Sequence, residues 1–515
     1  TDGAQNNTIQ NTTITLDRSN TNSRGVMQTA TTTGGGVTPT SAAGSNSQNL
    51  YQNITIRNVY AGVWFNGNTT FRDVNTRITT TACGIFNSIG DPNLVSDIGG
   101  GNLTTQTYGI QAANQDGFTI SNNEIQNVSN STGQLDGINV TVFTGTCTIS
   151  NNIIRTIQRT GSTTTVMSGI RATHQTTGTN TMRMYNNAIM DLISPYTGTA
   201  STTRGVRGIY LLTTTGGTTV NYEVWNNAVV VDQTANANLS STCFEFAGTA
   251  TTGAQITLSN NVFANLTTGQ TGTPRHYGIN HTSSATVFGN GASTGTNNDI
   301  YISDGVGVTG FAVQGATTNY NDGAAWNTAV AQASGNISVD PQFLSATSDL
   351  HPSANALNNA GLTPPAYITF DLDCAARTPD NDIGPYILNA CSTPTAGIIL
   401  GNGSTCDGDV NDLTLDGSSV GLGITFQWLY GPVGGPYTTP LGNLLVQSTT
   451  GIPTGTYEVV VDVTCNAGPT TVTTIPFALT INQVPTATAS NDGPICVAGT
   501  ANFTGGTDIG TDFQW

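Results

Sequence analysis

Lysine is absent from this sequence, and charged residues of any kind are scarce. Only 8% of the 515 residues are charged, and 13 arginines face 30 acidic residues, for a net charge of −17. Nucleic-acid binding needs cations that displace phosphate counterions, and anionic membrane surfaces attract basic segments. The charge balance therefore argues against nucleic acid and anionic membranes as partners.

Long hydrophobic runs are also absent. The longest, such as residues 397–400, are far shorter than the ~20 residues that cross a bilayer, so we expect no membrane insertion in this segment. Thr, Asn, Gly and Ser supply the polarity instead, and a hydrophobic content of 36% is too high for a disordered chain. This composition is typical of a large all-β protein.

The eight cysteines form no Cys-x-x-Cys motif and no Cys/His cluster, so the sequence predicts no metal site of that kind. Cys406 and Cys465 flank one segment of the C-terminal part, and Cys374 and Cys391 bracket the approach to it. We predict two disulfides from these four residues in an oxidising compartment.

A glycine followed by an apolar residue recurs along the chain at intervals of 22 to 39 residues. Nine copies begin at Gly25, Gly62, Gly84, Gly109, Gly137, Gly169, Gly208, Cys243 (a degenerate copy) and Gly278. Unequal intervals of this kind favour a constant core with loops of variable length, as in repeat proteins.

A second motif lies between these copies: two short apolar-polar stretches joined by Asn-Asn. It recurs at residues 122–123, 151–152, 186–187, 226–227 and 260–261. Asn tolerates the left-handed backbone of a sharp corner, and its amide can bond to the same residue one coil away. About nine stacked coils of a parallel β-helix are predicted, because the shorter intervals leave no room for four-stranded propeller blades.

Residues from about 297 to 390 are less periodic, which predicts a C-terminal cap. They contain Asp340-Pro341-Gln342-Phe343, Asp349-Leu350-His351 and Asp382-Ile383-Gly384-Pro385-Tyr386. This series resembles the closing segment of pectate-lyase-like right-handed β-helix proteins. Together with the Asn-Asn coils it resembles secreted surface proteins of Bacteroidetes-type bacteria. The resemblance covers roughly residues 1–390 and implies a right-handed helix and export by the type IX secretion machinery.

The composition changes after Cys391. Cys406, Trp428 and Cys465 follow the Cys…Trp…Cys order of immunoglobulin-like sandwiches, although Tyr457 precedes the second cysteine by eight residues instead of two. A second copy begins at Cys496. We predict a β-helix over residues 1–390, an Ig-like sandwich over 391–484, and the start of another over 485–515.

Residue sets that would support catalysis are missing. The Asn-Thr-Asp, Asp-Asp, Gly-His-Gly and Arg-Ile-Lys series of polygalacturonase-like enzymes do not occur, and no lysine could serve as a lyase base. Asp116 and Asp136 each precede Gly and are interpreted as turn residues. The loop from Asp407 to Asp412 departs from an EF-hand, so calcium is only a minor expectation and no other cofactor is predicted.

The residue after each Gly-apolar pair should point outward, because alternate strand residues face opposite sides. Its aromatic and polar members could bind an extracellular polysaccharide or cell-surface glycan, unless loops cover this face. The predicted glycan-binding residues are Trp64, Phe86, Gln111, Asn139, Arg171, Tyr210 and Glu245.

The sequence thus favours a non-catalytic, secreted or cell-surface adhesin-like protein, with a β-helix rod on an Ig-like stalk. One alternative is a carbohydrate-active β-helix enzyme, a polysaccharide lyase or glycoside hydrolase acting on an acidic polymer. Another is a structural extracellular fibre subunit, which would need self-association.

Overall fold

The computed structural model divides the chain into two compact units, Thr1–Asn389 and Ala390–Trp515, one residue from the boundary that the sequence predicts. No helix in the part of the chain that it describes is long and apolar enough to cross a membrane. The described residues are 3–30, 38–80, 93–100, 102–162, 164–174, 178–195, 205–213, 219–233, 239–248, 254–268, 275–281, 293–303, 309–314, 318–377, 380–388, 394–420, 424–465, 470–491, 493, 500 and 502–507.

The first unit is a stack of coils whose strands form two long parallel sheets, an arrangement consistent with a parallel β-helix. The strands of sheet A are Thr8–Thr15, Leu50–Val59, Arg77–Ile78, Asn93–Gly99, Thr119–Ser121, Asn123–Asn130, Thr146–Ser150, Ile153–Arg159, Thr179–Tyr185, Ala188–Ile189, Leu192–Ile193, Thr219–Trp225, Ala228–Val231, Ala254–Ser259, Val262–Asn265, Thr294–Thr296, Asp299–Ile302 and Ala333–Ser334. Those of sheet B are Arg24–Thr29, Ala61–Asn66, Asp73–Val74, Thr107–Asp116, Leu135–Thr144, Met167–His174, Val206–Thr213, Ser241–Gly248, Arg275–His281, Thr309–Gln314 and Asn319–Tyr320. Only Asn319–Tyr320 pairs antiparallel within these two sheets, as far as the described ranges extend.

Each coil is numbered by its sheet B strand and includes the sheet A strands that precede that strand in the sequence. Sheet B defines nine coils in the described residues, from coil 1 with Arg24–Thr29 to coil 9 with Thr309–Gln314. The number agrees with the sequence within the described residues. Strand Ala61–Asn66 pairs directly with Thr107–Asp116. The triplet that begins at Gly84 lies outside the described residues, and coil 9 is not among the predicted copies.

The Asn-Asn pairs turn the chain within sheet A, and the two residues have different roles. The first, here called the corner asparagine, has a left-handed backbone with φ between 51° and 56°, and the single asparagines Asn11 and Asn53 occupy the same position in coils 1 and 2. The corner asparagines are Asn11, Asn53, Asn122, Asn151, Asn186, Asn226, Asn260 and Asn297. Asn reaches this conformation at low cost because its short side chain can hydrogen-bond locally.

The second residue of each pair, the inner asparagine, is buried and links neighbouring coils. Asn227 Nδ2 donates to Asn261 Oδ1 at 2.9 Å and to the Met184 carbonyl of the preceding coil at 3.0 Å. The same side chain-to-side chain bond, 2.8–3.0 Å long, joins all inner asparagines: Asn93, Asn123, Asn152, Asn187, Asn227, Asn261, Asn298 and Asn336. From coil 3 onward, each coil is thus tied to the next without an unpaired buried amide at this position.

The recurrent glycines are required by the narrow interior between the sheets. A Cβ at Gly137 would lie 2.6 Å from Ile154 Cγ2 and 2.7 Å from the Gly169 carbonyl oxygen. Equivalent atoms would lie 2.0–2.7 Å from an Ile or Val methyl at Gly25, Gly62, Gly109, Gly169 and Gly208. Any side chain there would displace the opposite wall of the core.

The apolar core runs without interruption from Val26 to Ala333. Near its start the interior is polar: Gln28 Nε2 donates to Asp73 Oδ2 at 2.9 Å, and Asn49 Nδ2 donates to Gln28 Oε1 at 3.0 Å. Near its end helix Gly323–Ala329 places buried Trp326 against Gly295, which closes the core.

The predicted cap from about residue 297 comprises several structures. Residues 297–303 still belong to coil 9, and a short hairpin pairs Phe343–Ser345 with Asp349–Pro352. Short 3₁₀ turns span Ala42–Gly44 and Asn355–Leu357. The closing segment, residues 355–388, hydrogen-bonds along the side of coils 6–9 rather than over the end of the stack.

Residues of the Asp349-Leu350-His351 and Asp382-to-Tyr386 motifs contact each other in the cap. His351 Nδ1 lies 2.5 Å from Asp349 Oδ1, and its Nε2 lies 2.6 Å from Asp373 Oδ2. Its ring stacks on Tyr386 with centroids 3.8 Å apart. Burial disfavours the charged imidazole, but the two carboxylates outweigh it and raise the pKa of His351 to about 9.

The second unit contains two sheets that share one core around fully buried Trp428. The strands of the smaller sheet are Ile398–Leu400, Asp412–Asp416 and Val446–Ser448. Those of the larger sheet are Ser404–Cys406, Ile424–Pro432, Thr439–Gly442, Gly455–Cys465, Thr470–Thr473 and Phe477–Asn482. A hairpin of Ala487–Asn491 with Phe503–Thr507 follows, and Cys496 lies outside the described residues.

The predicted disulfide between Cys406 and Cys465 is wrong. Cys406 is a free thiol. It pairs in register with Asn482, and the residue before Asn482 pairs with Gly455. Cys465 lies at the opposite end of the 11-residue strand that begins at Gly455, roughly 33 Å away at ~3.3 Å per residue. Cys374 and Cys465 each take part in a disulfide. Cys391 lies outside the described residues.

We predict that Gly137→Ala lowers the free energy of unfolding of the coil stack by about 1–3 kcal/mol, because its Cβ overpacks the core. Gly100→Ala is the control, since a Cβ there meets nothing closer than 3.9 Å. Urea denaturation of the two variants measures the difference, and equal midpoints would contradict the steric argument.

We also predict that His351 stabilises the fold in a pH-dependent way. A pKa raised from 6.5 to about 9 gives stability that is fully present below pH 6.5 and lost as pH rises through 9. The thermal midpoint of the wild type should exceed that of His351→Gln at pH 6, and the two should converge above pH 10. A constant difference would show that His351 acts through packing alone.

Candidate functional site

The outward residues of sheet B form one column, here called the outward column. Register pairs join Trp64 to Gln111, Gln111 to Asn139 and Asn139 to Arg171. The remaining members in order are Tyr210, Glu245 and Asn280, with Met27 before Trp64. Adjacent members are one strand apart, about 4.8 Å. Phe86 lies outside the described residues.

A cleft of about 480 Å³ opens over the N-terminal part of this column. Its aromatic walls are Tyr60, Trp64 and Tyr108, and Arg24 and Gln111 contribute polar groups. The Arg24 guanidinium lies 4.6 Å from the ring centroid of Trp64, which fixes both side chains. Aromatic faces beside amide and guanidinium donors suit a ligand with apolar and hydroxylated surfaces.

Several buried polar atoms along the outward column have no hydrogen-bond partner among the described residues. They are Arg24 Nε, Trp64 Nε1, Asn139 Oδ1, Arg171 Nε and Asn280 Oδ1. Buried polar atoms are nearly always paired with protein groups, water or a ligand. The column therefore offers donors and acceptors that a bound polar molecule could satisfy.

Tyr210 and Glu245 are not available for stacking or direct contact, contrary to the sequence-based expectation. Tyr210 is only 7% exposed, and the guanidinium of Arg207 lies 4.0 Å from its ring centroid. Glu245 Oε2 accepts from Arg207 Nε at 3.0 Å, and both side chains are buried. Asn139 is also buried, at 1% exposed, so Trp64, Gln111 and Arg171 are the predicted members that remain partly accessible. Arg171 lies 5.4 Å from the Tyr210 centroid.

Asp136 is a strand residue, so its interpretation as a turn is wrong. It lies in Leu135–Thr144, and its Oδ2 accepts from Gln134 at 2.6 Å and from Asn139 at 2.8 Å. Burial raises the pKa of Asp136, and nearby Arg171 opposes that shift. Its register partner Tyr108 is eight residues from Asp116, roughly 26 Å. The two aspartates therefore cannot act as a glycosidase pair.

Another pair of carboxylates does share a cleft, which sequence reasoning missed. A cleft of about 630 Å³ is lined by Asp191 and Asp232 from successive coils and by Arg159. Burial and the charge of Asp191 raise the pKa of Asp232, while Thr156 Oγ1 donates to Asp191 Oδ2 at 2.7 Å. The coil interval brings these two residues together, but their sequence separation gave no sign of it.

A serine and a histidine also meet inside the stack. Ser241 Oγ lies 2.6 Å from His276 Nδ1, and Asn265 Nδ2 donates to Ser241 Oγ at 2.9 Å. All three residues are fully buried, so no substrate can reach the hydroxyl. This arrangement is a core hydrogen-bond network and not a nucleophile.

The described residues contain no group of three or more His, Cys, Asp or Glu side chains that could hold a metal ion. In the loop considered for calcium, Asn411 Nδ2 donates to the Asn402 carbonyl at 2.9 Å, which orients this side chain within the second unit. Comparison of the chain with protein-family models, with curated proteins and with solved structures found no match.

Proposed function

We propose that this protein is a non-catalytic, secreted or cell-surface adhesin-like protein that binds an extended glycan along coils 2–5. The proposed contact residues are Trp64, Gln111 and Arg171, with Arg24 at one end, whereas Asn139 lies beneath this surface and is only 1% exposed. The observation that carries the proposal is the row of unpartnered buried polar atoms beside an aromatic cleft. A sugar could match both features, because its apolar ring face can stack on an aromatic side chain and its hydroxyl groups can hydrogen-bond to the polar atoms.

An acidic glycan fits this surface better than a neutral one. Arg207 is neutralised by Glu245, whereas Arg24 and Arg171 form no ion pair with any described residue. Trp64 is in coil 2 and Arg171 in coil 5, three strand spacings or about 14 Å apart. A glycan with carboxylates or sulfates along its length would meet both guanidinium groups.

The rest of the chain would support presentation of this surface. We propose that the coil stack is a right-handed β-helix rod and that the second unit is an Ig-like stalk module, as buried Trp428 between two sheets suggests. The disulfide-bonded Cys374 and Cys465 suit an oxidising extracellular location. Resemblance to Bacteroidetes-type surface proteins supports export through the type IX machinery.

We predict that Trp64→Ala and Arg171→Gln each weaken binding to an acidic polysaccharide at least tenfold, about 1.4 kcal/mol. Added salt should weaken binding by wild type and by Trp64→Ala, and much less by Arg171→Gln. Affinity electrophoresis in gels that contain polygalacturonate or a neutral glucan measures these effects. Arg155→Gln is the control, because Arg155 pairs with Glu124 on sheet A.

Retention of wild type and both variants to the same extent in acidic gels would show that the column does not bind glycan. Stronger retention in the neutral gel would exclude the acidic class and leave the binding surface in place.

The cleft with Asp191 and Asp232 favours a second candidate, glycoside hydrolysis. A carboxyl whose pKa is raised, Asp232, lies beside a second carboxyl, Asp191, that accepts a hydrogen bond from Thr156, and glycoside hydrolysis uses two such carboxyls. If this candidate is correct, wild type should release reducing ends from uronic-acid polymers, and Asp191→Asn and Asp232→Asn should each abolish the activity. A complete lack of release by wild type would leave binding as the function.

A further inference from the structure

The closing segment shows what the corner asparagines of the stack can bind. In coils 6, 8 and 9 the side-chain amides of Asn186, Asn260 and Asn297 donate to main-chain carbonyls of the segment at 2.7–2.8 Å. Asn226, in coil 7, donates to the carbonyls of residues 382 and 384 at 3.1 Å each. These five hydrogen bonds are made to backbone atoms, and Asn186 Oδ1 also accepts from the Arg377 guanidinium at 3.0 Å.

Recognition of the backbone is most complete at Asn260. Its Nδ2 donates to the Leu362 carbonyl at 2.7 Å, and its Oδ1 accepts from the Leu362 N–H at 2.8 Å. A side-chain amide that pairs with both main-chain groups of one residue makes no contact that depends on the side chain of that residue. The corner therefore recognises extended polypeptide as such, in the manner of a strand added to a sheet edge.

The same corner continues beyond the closing segment. Asn151 in coil 5 and Asn122 in coil 4 have φ of 53° and 56°, like the occupied corners. The segment turns back before it reaches them, because Phe370 pairs antiparallel with Ala376. Asn151 Oδ1 is buried and has no hydrogen-bond partner among the described residues.

The surroundings of these two corners are small and neutral. Ser150 and Ser121 precede them, as Ser259 and Thr296 precede the occupied corners of coils 8 and 9. Asn122 Nδ2 donates one hydrogen bond, to Thr79 Oγ1 at 3.4 Å. The nearest charged pair, Glu124 and Arg155, is closed by a 2.6 Å ion pair. A docked polypeptide would thus need no particular charge, and only small side chains would lie beside the two amides.

We infer that the corner of coils 4 and 5 docks an extended polypeptide segment of a partner protein, held through its main chain by Asn122 and Asn151. The docked segment continues the line of the closing segment toward the N-terminal coils. This surface lies on sheet A and is independent of the glycan-binding column proposed on sheet B.

A fluorescent synthetic peptide with the sequence of residues 357–371, the leg that binds the corner in the intact chain, is the probe. We expect saturable binding to the full chain, and at least tenfold weaker binding to Asn151→Gly and Asn122→Gly. Glycine keeps the left-handed backbone and removes only the amide. Asn53→Gly, at the coil 2 corner, is the matched control and should bind as wild type does.

Hydrogen exchange with saturating peptide identifies the bound coils. Protection of Thr119–Ser121 and Thr146–Ser150 supports the inference. Protection confined to coils 6–9 would mean that the peptide replaces the closing segment and would overturn it. Absence of binding, or unchanged affinity in both glycine variants, would overturn it as well, as would displacement of the peptide by oligosaccharide.

Discussion

The Asn-Asn corner is the constraint on which the rest of the coil stack depends. At this corner the chain must adopt a left-handed backbone, and the amide of the residue that follows must be buried. The corner asparagine meets the first requirement and the inner asparagine meets the second, through bonds to the coils on both sides. Because each inner asparagine bonds to its equivalent, the coils align in register whatever the length of the loops between them.

Register, once fixed, creates the other columns of the molecule. The glycine column allows the sheets to approach until an added Cβ would clash with the opposite wall. The outward column then places Trp64, Gln111, Asn139 and Arg171 at successive rungs, although 28 to 47 residues separate neighbours in sequence. A surface that could contact several units of a linear ligand follows from an interior hydrogen-bond ladder.

Periodicity therefore predicted much of the fold: the coils, their corners and the order of the outward column were all evident from the sequence. It could not predict burial. Tyr210 is covered because Arg207, from the same strand, folds over its ring and pairs with Glu245. Such contacts depend on side-chain geometry across rungs, which spacing does not encode.

The C-terminal unit shows the same limit in another form. The order of Cys406, Trp428 and Cys465 suggested a disulfide across a sandwich, but sequence order does not say where a strand begins relative to its partners. Cys406 pairs with Asn482 and Cys465 ends a long neighbouring strand, so the two cysteines are a strand length apart. Buried Trp428, in contrast, follows directly from its apolar strand.

The inner asparagine ladder also bears on how such a chain could change its length over evolutionary time. From coil 3 onward each rung presents the same acceptor on one side and the same donor on the other, so any of these coils can follow any other without an unpaired amide. Unequal recombination that gains or loses one whole coil would preserve the ladder, whereas a fractional gain would break it. Rod length could therefore vary among descendants in discrete steps, while the surface on each remaining coil stays intact.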